Sequence, residues 1–418
     1  MIKSIFKGSL FKLFDFIRPL IVIPFFIRTY GVESYGIYVQ IILMSSLAFP
    51  IIDLGIGMGI QRYSQELKNI KDRLEVFKAQ RFFILLFVFF YFGIISIPSI
   101  RDLLFGKFES FLLIFSTLAY VIIFSLNNTL QGVLRADSKI GKLVKYRGLF
   151  AVIEAAMLIA ILQVHKQFDY IYVSAMVLAQ SAYFYYLNKE ANGIGTRFQI
   201  DLKFTDKTKE FFRYSLFLIP SALIGWITSS SDRFFITSYF GPEYTGYYSA
   251  IAQYAGYMNL IVFPFTFVFF KEYGRLYDED FKKFLRFYGK TFFICVALSV
   301  IYFIIFFLLS IPIYKLYLGL EIRPEFRTLL LWFLISFFLI NISSFLSIYM
   351  LISKNTKSML FAIIAGSLAN IVLNGFFLEN YFYVNASYYW AISVGIQVII
   401  MVSFIFKNIL KFEKSIIC

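Results

Sequence analysis

Residues 31–38 read GVESYGIY, and residues 241–248 read GPEYTGYY. Gly31, Glu33, Gly36 and Tyr38 of the first stretch return as Gly241, Glu243, Gly246 and Tyr248 in the second, 210 residues later in a chain of 418. A shift of half the chain implies two homologous halves. A weaker echo, NNTLQGVLRADSK (127–139) against NISSFLSIYMLISK (341–354), follows in the same order.

The setting of these stretches decides the solvent. The chain is 60% hydrophobic and only 16% charged, with 55 Phe and 30 Tyr. Soluble domains carry about a quarter charged residues. Single soluble cores stop growing near roughly 250–300 residues, after which chains split at polar boundaries. A soluble enzyme and a disordered chain are both excluded, which leaves an integral membrane protein. Two cysteines, Cys295 and Cys418, make no disulfide framework. One histidine, His165, in an outer loop, leaves no histidine-based metal site and reads as a solvated side chain.

A membrane helix needs about 20 mostly apolar residues. Twelve segments qualify: 9–30, 36–60, 81–100, 110–133, 144–163, 169–188, 211–239, 245–270, 290–314, 327–352, 357–379 and 386–407. The runs are long and unbroken rather than alternating, which argues for all-α spans against a β-barrel. The first carries Lys12, Asp15 and Arg18 and lacks a small-residue cleavage site, so it reads as a retained helix. With both termini in the cytoplasm, thirty of the forty Lys and Arg residues fall on cytoplasmic segments, seven on outer segments and three inside spans. That asymmetry is the positive-inside pattern. It places the net charge of +15 against the anionic inner leaflet, so no nucleic acid is needed to explain it.

Each half holds six spans, so both copies of the repeat insert the same way up. The expected architecture is two six-helix lobes, 1–188 and 211–418, joined by a polar cytoplasmic connector at 189–210. Their pseudo-twofold axis then runs along the membrane normal, as in parallel-repeat transporters. Two such lobes suit rocking around a central cavity.

Ionisable groups inside spans are costly and face an interior or a partner. Asp15 and Arg18 are three residues apart on one helix and can touch. Asp232 and Arg233 are adjacent and point about 100° apart, so each is expected to need another partner. Glu154 has no cation in its own helix, which leaves a proton or cation site and a neutral carboxyl both open. Arg62, Arg135 and Arg147 lie near cytoplasmic span ends, as phosphate ligands or as topological anchors. Asn127, Asn128, Asn341, Asn370 and Asn374 could meet sugar hydroxyls or bond neighbouring helices. In DLGIGMGIQRY (53–63), Gly55 and Gly59 suit a small-residue helix contact, and Asp53 reads as a boundary carboxylate. The spacing and the missing strand exclude a dinucleotide fingerprint. No nucleophile motif and no Walker loop occurs, so transport must draw on an ion gradient, the substrate gradient or a partner.

The stretch PLIVIPFFIRTYGVESYGIYVQIILMSSLAFPIIDLGIGMGIQRYSQE (19–66) resembles the amino-terminal signature of bacterial polysaccharide exporters. SSSDRFFITSYFGPEYTGYYSAIAQY (229–254) is similar to their seventh-to-eighth span segment, and QGVLRADSKIGKLVKY (131–146) to their fourth-to-fifth span loop. The family is the O-antigen and capsule flippases (Wzx) of the multidrug/oligosaccharidyl-lipid/polysaccharide exporter superfamily. The resemblance implies a non-enzymatic inner-membrane protein of polysaccharide and lipopolysaccharide biosynthesis. It would flip undecaprenyl diphosphate-linked oligosaccharide from the cytoplasmic to the periplasmic leaflet by alternating access. Arg18 and Arg233, with Arg62 and Arg135, would attract the diphosphate. The asparagines would contact sugars, and Asp15, Glu154 or Asp232 would couple to a proton or sodium ion, with no other cofactor. A monomer working beside a polysaccharide polymerase and a chain-length regulator is the expected setting. A cation-coupled multidrug exporter of the same superfamily is the alternative, although arginines in the spans oppose cationic cargo. A lipid II flippase would be expected to have fourteen spans, and an O-antigen polymerase a large periplasmic loop.

Overall fold

The computed structural model describes residues 2–62, 70–105, 110–137, 139–196, 206–216, 218–319, 322–353 and 355–417. Among them there is no strand, and the chain is a succession of helices. The first half contains α1 (Ile2–Asp53), α2 (Ile56–Arg62), α3 (Ile70–Ile95), α4 (Pro98–Phe105), α5 (Phe111–Ala136), α6 (Ile140–Val164), α7 (Tyr170–Glu190) and α8 (Asp206–Leu216). The second contains α9 (Leu218–Phe240), α10 (Pro242–Gly256), α11 (Asn259–Val268), α12 (Phe270–Glu279), α13 (Phe281–Leu308), α14 (Ser310–Leu318), α15 (Phe326–Ile352), α16 (Thr356–Phe377) and α17 (Asn385–Ile417).

Eight helices among the described residues are long and apolar enough to cross a membrane. The first of these, within α1, carries two expected spans joined at Gly31. The other three expected spans are helical as well: α7, α9, and α10 with α11, which are separated at Tyr257 and Met258. All twelve expected segments therefore form helices. Large apolar side chains such as Phe89, Phe111, Phe293 and Leu308 stand exposed, as lipid-facing residues do.

The chain divides into two compact units, residues 6–226 and residues 227–418 with 1–5. The division falls inside α9, between Trp226 and Ile227.

In the first unit, a core of Leu54, Ile56, Ile60, Leu130, Val133 and Leu134 seals α2 against α5. The backbones come close enough that a side chain at Gly132 would strike the Gly57 carbonyl. Gly59 meets Phe211 and Ser215 of α8, whose Thr208 hydroxyl donates to Glu75 (2.7 Å). Gly59 thus makes the expected close contact, and the φ of 66° at Gly55 sets a backbone requirement there. Two arginines expected among the cytoplasmic charges are drawn inward. Arg73 grips Asp137 with both guanidinium nitrogens (3.0 and 2.7 Å), and Arg81 donates to the carbonyls of Ile194 and Gly195 (3.0 and 3.2 Å). His165 is not merely solvated: its Nε2 lies 2.9 Å from Asp169, the residue that caps α7.

In the second unit, α12 lays Tyr273 into an aromatic core with Phe284, Tyr288, Phe345 and Tyr349. Hydroxyls buried there find partners, Tyr273 at Thr291 (2.7 Å) and Tyr288 at the Phe345 carbonyl (2.8 Å). Elsewhere in the unit, Arg323 is paired with Glu243 and stacked over Tyr247 (4.9 Å) and Tyr244 (5.6 Å).

The repeat is visible in the backbone. Gly31 has φ 84° and ψ 169°, and Gly241 has φ 93° and ψ 172°. Only glycine occupies this region readily, so each half breaks its first helix from its second with the same device. Neither glycine has a neighbour that an added Cβ would meet. Gly31→Ala and Gly241→Ala should therefore each cost about 1–3 kcal/mol through backbone strain alone. Gly274→Ala, in the open interior of α12, should instead be neutral or stabilise by about 0.5–1 kcal/mol. Thermal unfolding of the detergent-solubilised protein checks both.

Candidate functional site

In the second unit, α9 runs Thr228, Ser229, Ser230, Ser231, Asp232 and Arg233 through the middle of an expected span. Asp232 is 1% exposed. Its Oδ2 accepts from the Tyr248 hydroxyl at 2.5 Å, and its Oδ1 accepts from the Arg233 backbone N–H at 2.9 Å. The Arg233 guanidinium donates to Ser249 Oγ (3.2 Å) and to the Ser229 carbonyl (2.9 Å), and its Cζ lies 5.8 Å from the Tyr248 ring centre. It also reaches Asp232 Oδ1 at 3.4 Å. The expected divergence of these two neighbours is corrected here. Their Cα–Cβ bonds diverge, but the long arginine stem curls back along the helix to its own acid.

Beside this pair, α9 and α16 are joined by polar contacts. Ser231 donates to Asn370 Oδ1 (2.9 Å), and the hydroxyls of Thr228 and Ser367 are hydrogen-bonded. Asn374 donates to the Asn370 carbonyl one turn below it (2.9 Å). Asn370 Nδ2 and Asn374 Oδ1 have no partner among the described residues although both residues are fully buried. Asn341 lies apart from these, donating to the Met258 carbonyl and Ser299 Oγ (both 3.2 Å).

The first unit has two buried polar sets. In one, Asn127 donates to Gln180 Oε1 (2.9 Å), and Gln180 donates to Glu154 Oε2 (3.3 Å), linking α5, α7 and α6. Glu154 thus meets an amide, and it is 2% exposed. In the other, Asp53 accepts from Thr129 Oγ1 (2.5 Å) and from the Gly57 N–H (3.2 Å), and Gln80 donates to the same Thr129 oxygen (2.7 Å). Asp53 is 4% exposed, so it is no boundary carboxylate. Asn128 is turned back on the Phe124 carbonyl (3.0 Å). Arg135 is exposed in the last turn of α5, 3.4 Å from Gln131 Oε1. Arg147 lies over the Tyr183 ring at 5.8 Å. Lys142 donates to Glu190 (2.7 Å) and holds that carboxyl below its ordinary range. The backbones of Asp15 and Arg18 are in α1 and that of Arg62 ends α2, but their side chains lie outside the described residues.

The structure thus brings together Asp232 with Arg233, Asn370 with Asn374, and Glu154 with Asn127. Sequence reasoning missed Tyr248 and Ser249 as partners of Asp232 and Arg233, Gln180 as the partner of Glu154 and Asn127, and Thr129 with Gln80 as the set around Asp53. The available signals were the repeated tyrosine at 248 and single amides at 80 and 180 next to apolar runs, since buried polar groups in spans need partners. Among the described residues no group of His, Cys, Asp and Glu could hold a metal ion.

A family model described as polysaccharide biosynthesis protein matches residues 1–270, and the chain belongs to that family. Over 95% of its length it is 25% identical to a Shigella flexneri protein named "Putative O-antigen transporter", covering 97% of that protein. Its fold matches the lipid II flippase MurJ in an inward closed conformation, with TM-score 0.74 and 16% identity over 95% of this chain and 87% of that one. It also matches an outward-facing multidrug resistance MATE family transporter of the MOP superfamily, with TM-score 0.63 and 13% identity over 99% and 95% of the two chains. These relatives are transporters and flippases, not enzymes.

Losing the Tyr248 hydroxyl takes from buried Asp232 its shortest donor. Tyr248→Phe should destabilise the protein by about 1–3 kcal/mol, and Ser249→Ala by about 0.5–1.5 kcal/mol. Chemical or thermal unfolding in detergent would reveal the order, and equal effects would mean that Asp232 does not depend on Tyr248.

Proposed function

We propose that this member of the polysaccharide biosynthesis family flips undecaprenyl diphosphate-linked oligosaccharide repeat units from the cytoplasmic to the periplasmic leaflet by alternating access. The observation that carries the reading is the 25% identity to a protein named as an O-antigen transporter, sustained over 95% of the chain. A MurJ-like fold and an arginine held within an expected span agree with it. The protein resides in the inner membrane with both termini cytoplasmic, works as a monomer and hands its cargo to a polymerase and a chain-length regulator. Arg233 and Arg18 attract the diphosphate, with Arg135 and Arg62 at the cytoplasmic ends of their spans. Guanidinium forks suit phosphate oxygens because they donate two parallel hydrogen bonds. Asp232 holds Arg233 in place while Tyr248 donates to the other carboxylate oxygen. The asparagines with an orphaned amide atom, Asn127, Asn341, Asn370 and Asn374, are the sugar contacts that a small rearrangement of helices would open. Asn128, next to Asn127 on α5, belongs to the same set.

A second reading, export of a drug coupled to protons or sodium, is favoured by the buried carboxylates Glu154 and Asp232 and by the fold shared with a MATE transporter. Asp15 joins these two as a coupling candidate.

Deleting the gene and assaying undecaprenyl diphosphate-linked glycans in sealed vesicles separates the readings. Complete repeat units retained on the cytoplasmic face are expected. Unchanged glycans with raised drug sensitivity would favour the exporter, and single units outside without polymer would indicate a polymerase. Arg233→Lys keeps the charge but loses the fork, and transport should fall about tenfold if the bidentate contact forms in the transport cycle. Normal export by both Arg18→Ala and Arg233→Ala cells, at normal protein levels, would remove these residues from the site.

A further inference from the structure

Asp53 is a buried carboxylate that the transport reading does not use. It stands where α1 ends and the chain turns sharply: Leu54 has φ 54° and Gly55 φ 66°. From that turn its Oδ2 takes the Gly57 N–H of α2, while its Oδ1 takes the Thr129 hydroxyl of α5. Gln80 of α3 donates to the same hydroxyl oxygen. Four helices thus converge on one carboxylate and one hydroxyl. A serine or asparagine could cap α2 without a buried charge, so the second acceptor oxygen is the distinguishing feature.

The consequence falls on the end of α5. Thr129 is tied to Asp53, Gly132 is pressed on Gly57, and Asp137 just past the helix is gripped by Arg73 of α3. Between these fixed points lies Arg135, exposed at the helix end.

We propose that Asp53 is a positioning residue that fixes the last turns of α5, so that Arg135 meets the diphosphate of the incoming lipid-linked substrate in one geometry. This rests on the transport reading above. A cation whose backbone is already held loses less freedom when it binds, which favours capture over turnover. Asp53 itself touches no substrate; it acts through α5.

The test is a double-mutant cycle on the full-length protein in proteoliposomes, with undecaprenyl diphosphate-linked glycan supplied on one face. Half-saturation and maximal rate are read separately. Asp53→Ala and Arg135→Ala should each raise KM by about tenfold with kcat within about twofold of wild type, and the double variant should be no worse than Arg135→Ala alone. Multiplied effects in the double variant would show that Asp53 acts independently of Arg135 and overturn the proposal. So would an Asp53→Ala protein that is less stable but has an unchanged KM. If Asp53→Ala does not fold, Thr129→Val and Asp53→Asn replace it. The first removes the tie to α5 and should raise KM. The second keeps an acceptor for Thr129 and should raise KM less than the first, and the reverse order would refute the role. A wild-type protein that does not move the lipid ends the transport reading and this role together. A wild-type protein that moves it, with Asp53→Ala at wild-type KM, ends this role alone.

Discussion

A polar group inside a bilayer has no water to turn to, and the internal arrangement of both units follows from that one constraint. Where a buried hydroxyl, amide or carboxylate is met by the protein, the meeting point fixes the helices that supply it. Asp53 with Thr129, Gln180 with Glu154 and Asn127, and Asp232 with Tyr248 are the places where this happens. Apolar packing fills the space between them but is less specific, because lipid tails are as apolar as the helix faces. The exposed Phe and Leu side chains identify lipid-facing surface, while the polar contacts specify which helix faces which.

The two halves share their breaks and differ in their charges. Gly31 and Gly241 adopt nearly the same backbone angles, so the turn between the first two helices of each half has been kept. Yet the positions 210 residues before Asp232 and Arg233 hold Val22 and Ile23. Tyr38, the counterpart of Tyr248, sits in a cluster of aromatic rings with Phe26 and Tyr172. The same scaffold is apolar at this level in one unit and charged in the other.

Helical spans were legible because lipid demands long apolar runs, and the repeat was legible because a positive φ demands glycine. The polar partners were not legible, since they are set by which helices meet. Nothing local in the sequence pairs Gln80 with Thr129, 49 positions away, or Arg73 with Asp137. Asp53 looked peripheral because it stands near the end of an apolar run, where a carboxylate ordinarily reaches water. The positive φ at Leu54 and Gly55 turns α2 back against α5 and closes that route. The adjacent pair Asp232 and Arg233 misled for a different reason: helical geometry fixes Cβ directions but not the course of a long arginine side chain.

The chain has three tryptophans, Trp226, Trp332 and Trp390. Trp226 belongs to the first unit, where its indole N–H donates to Ser46 Oγ at 2.9 Å. Trp390, in the second, is 3% exposed and its indole nitrogen has no partner among the described residues. An indole that donates a hydrogen bond emits at longer wavelength than one sealed among hydrocarbons. With Trp332 replaced by phenylalanine, the two units would therefore carry different intrinsic colours, and ultraviolet emission could report on each without a label.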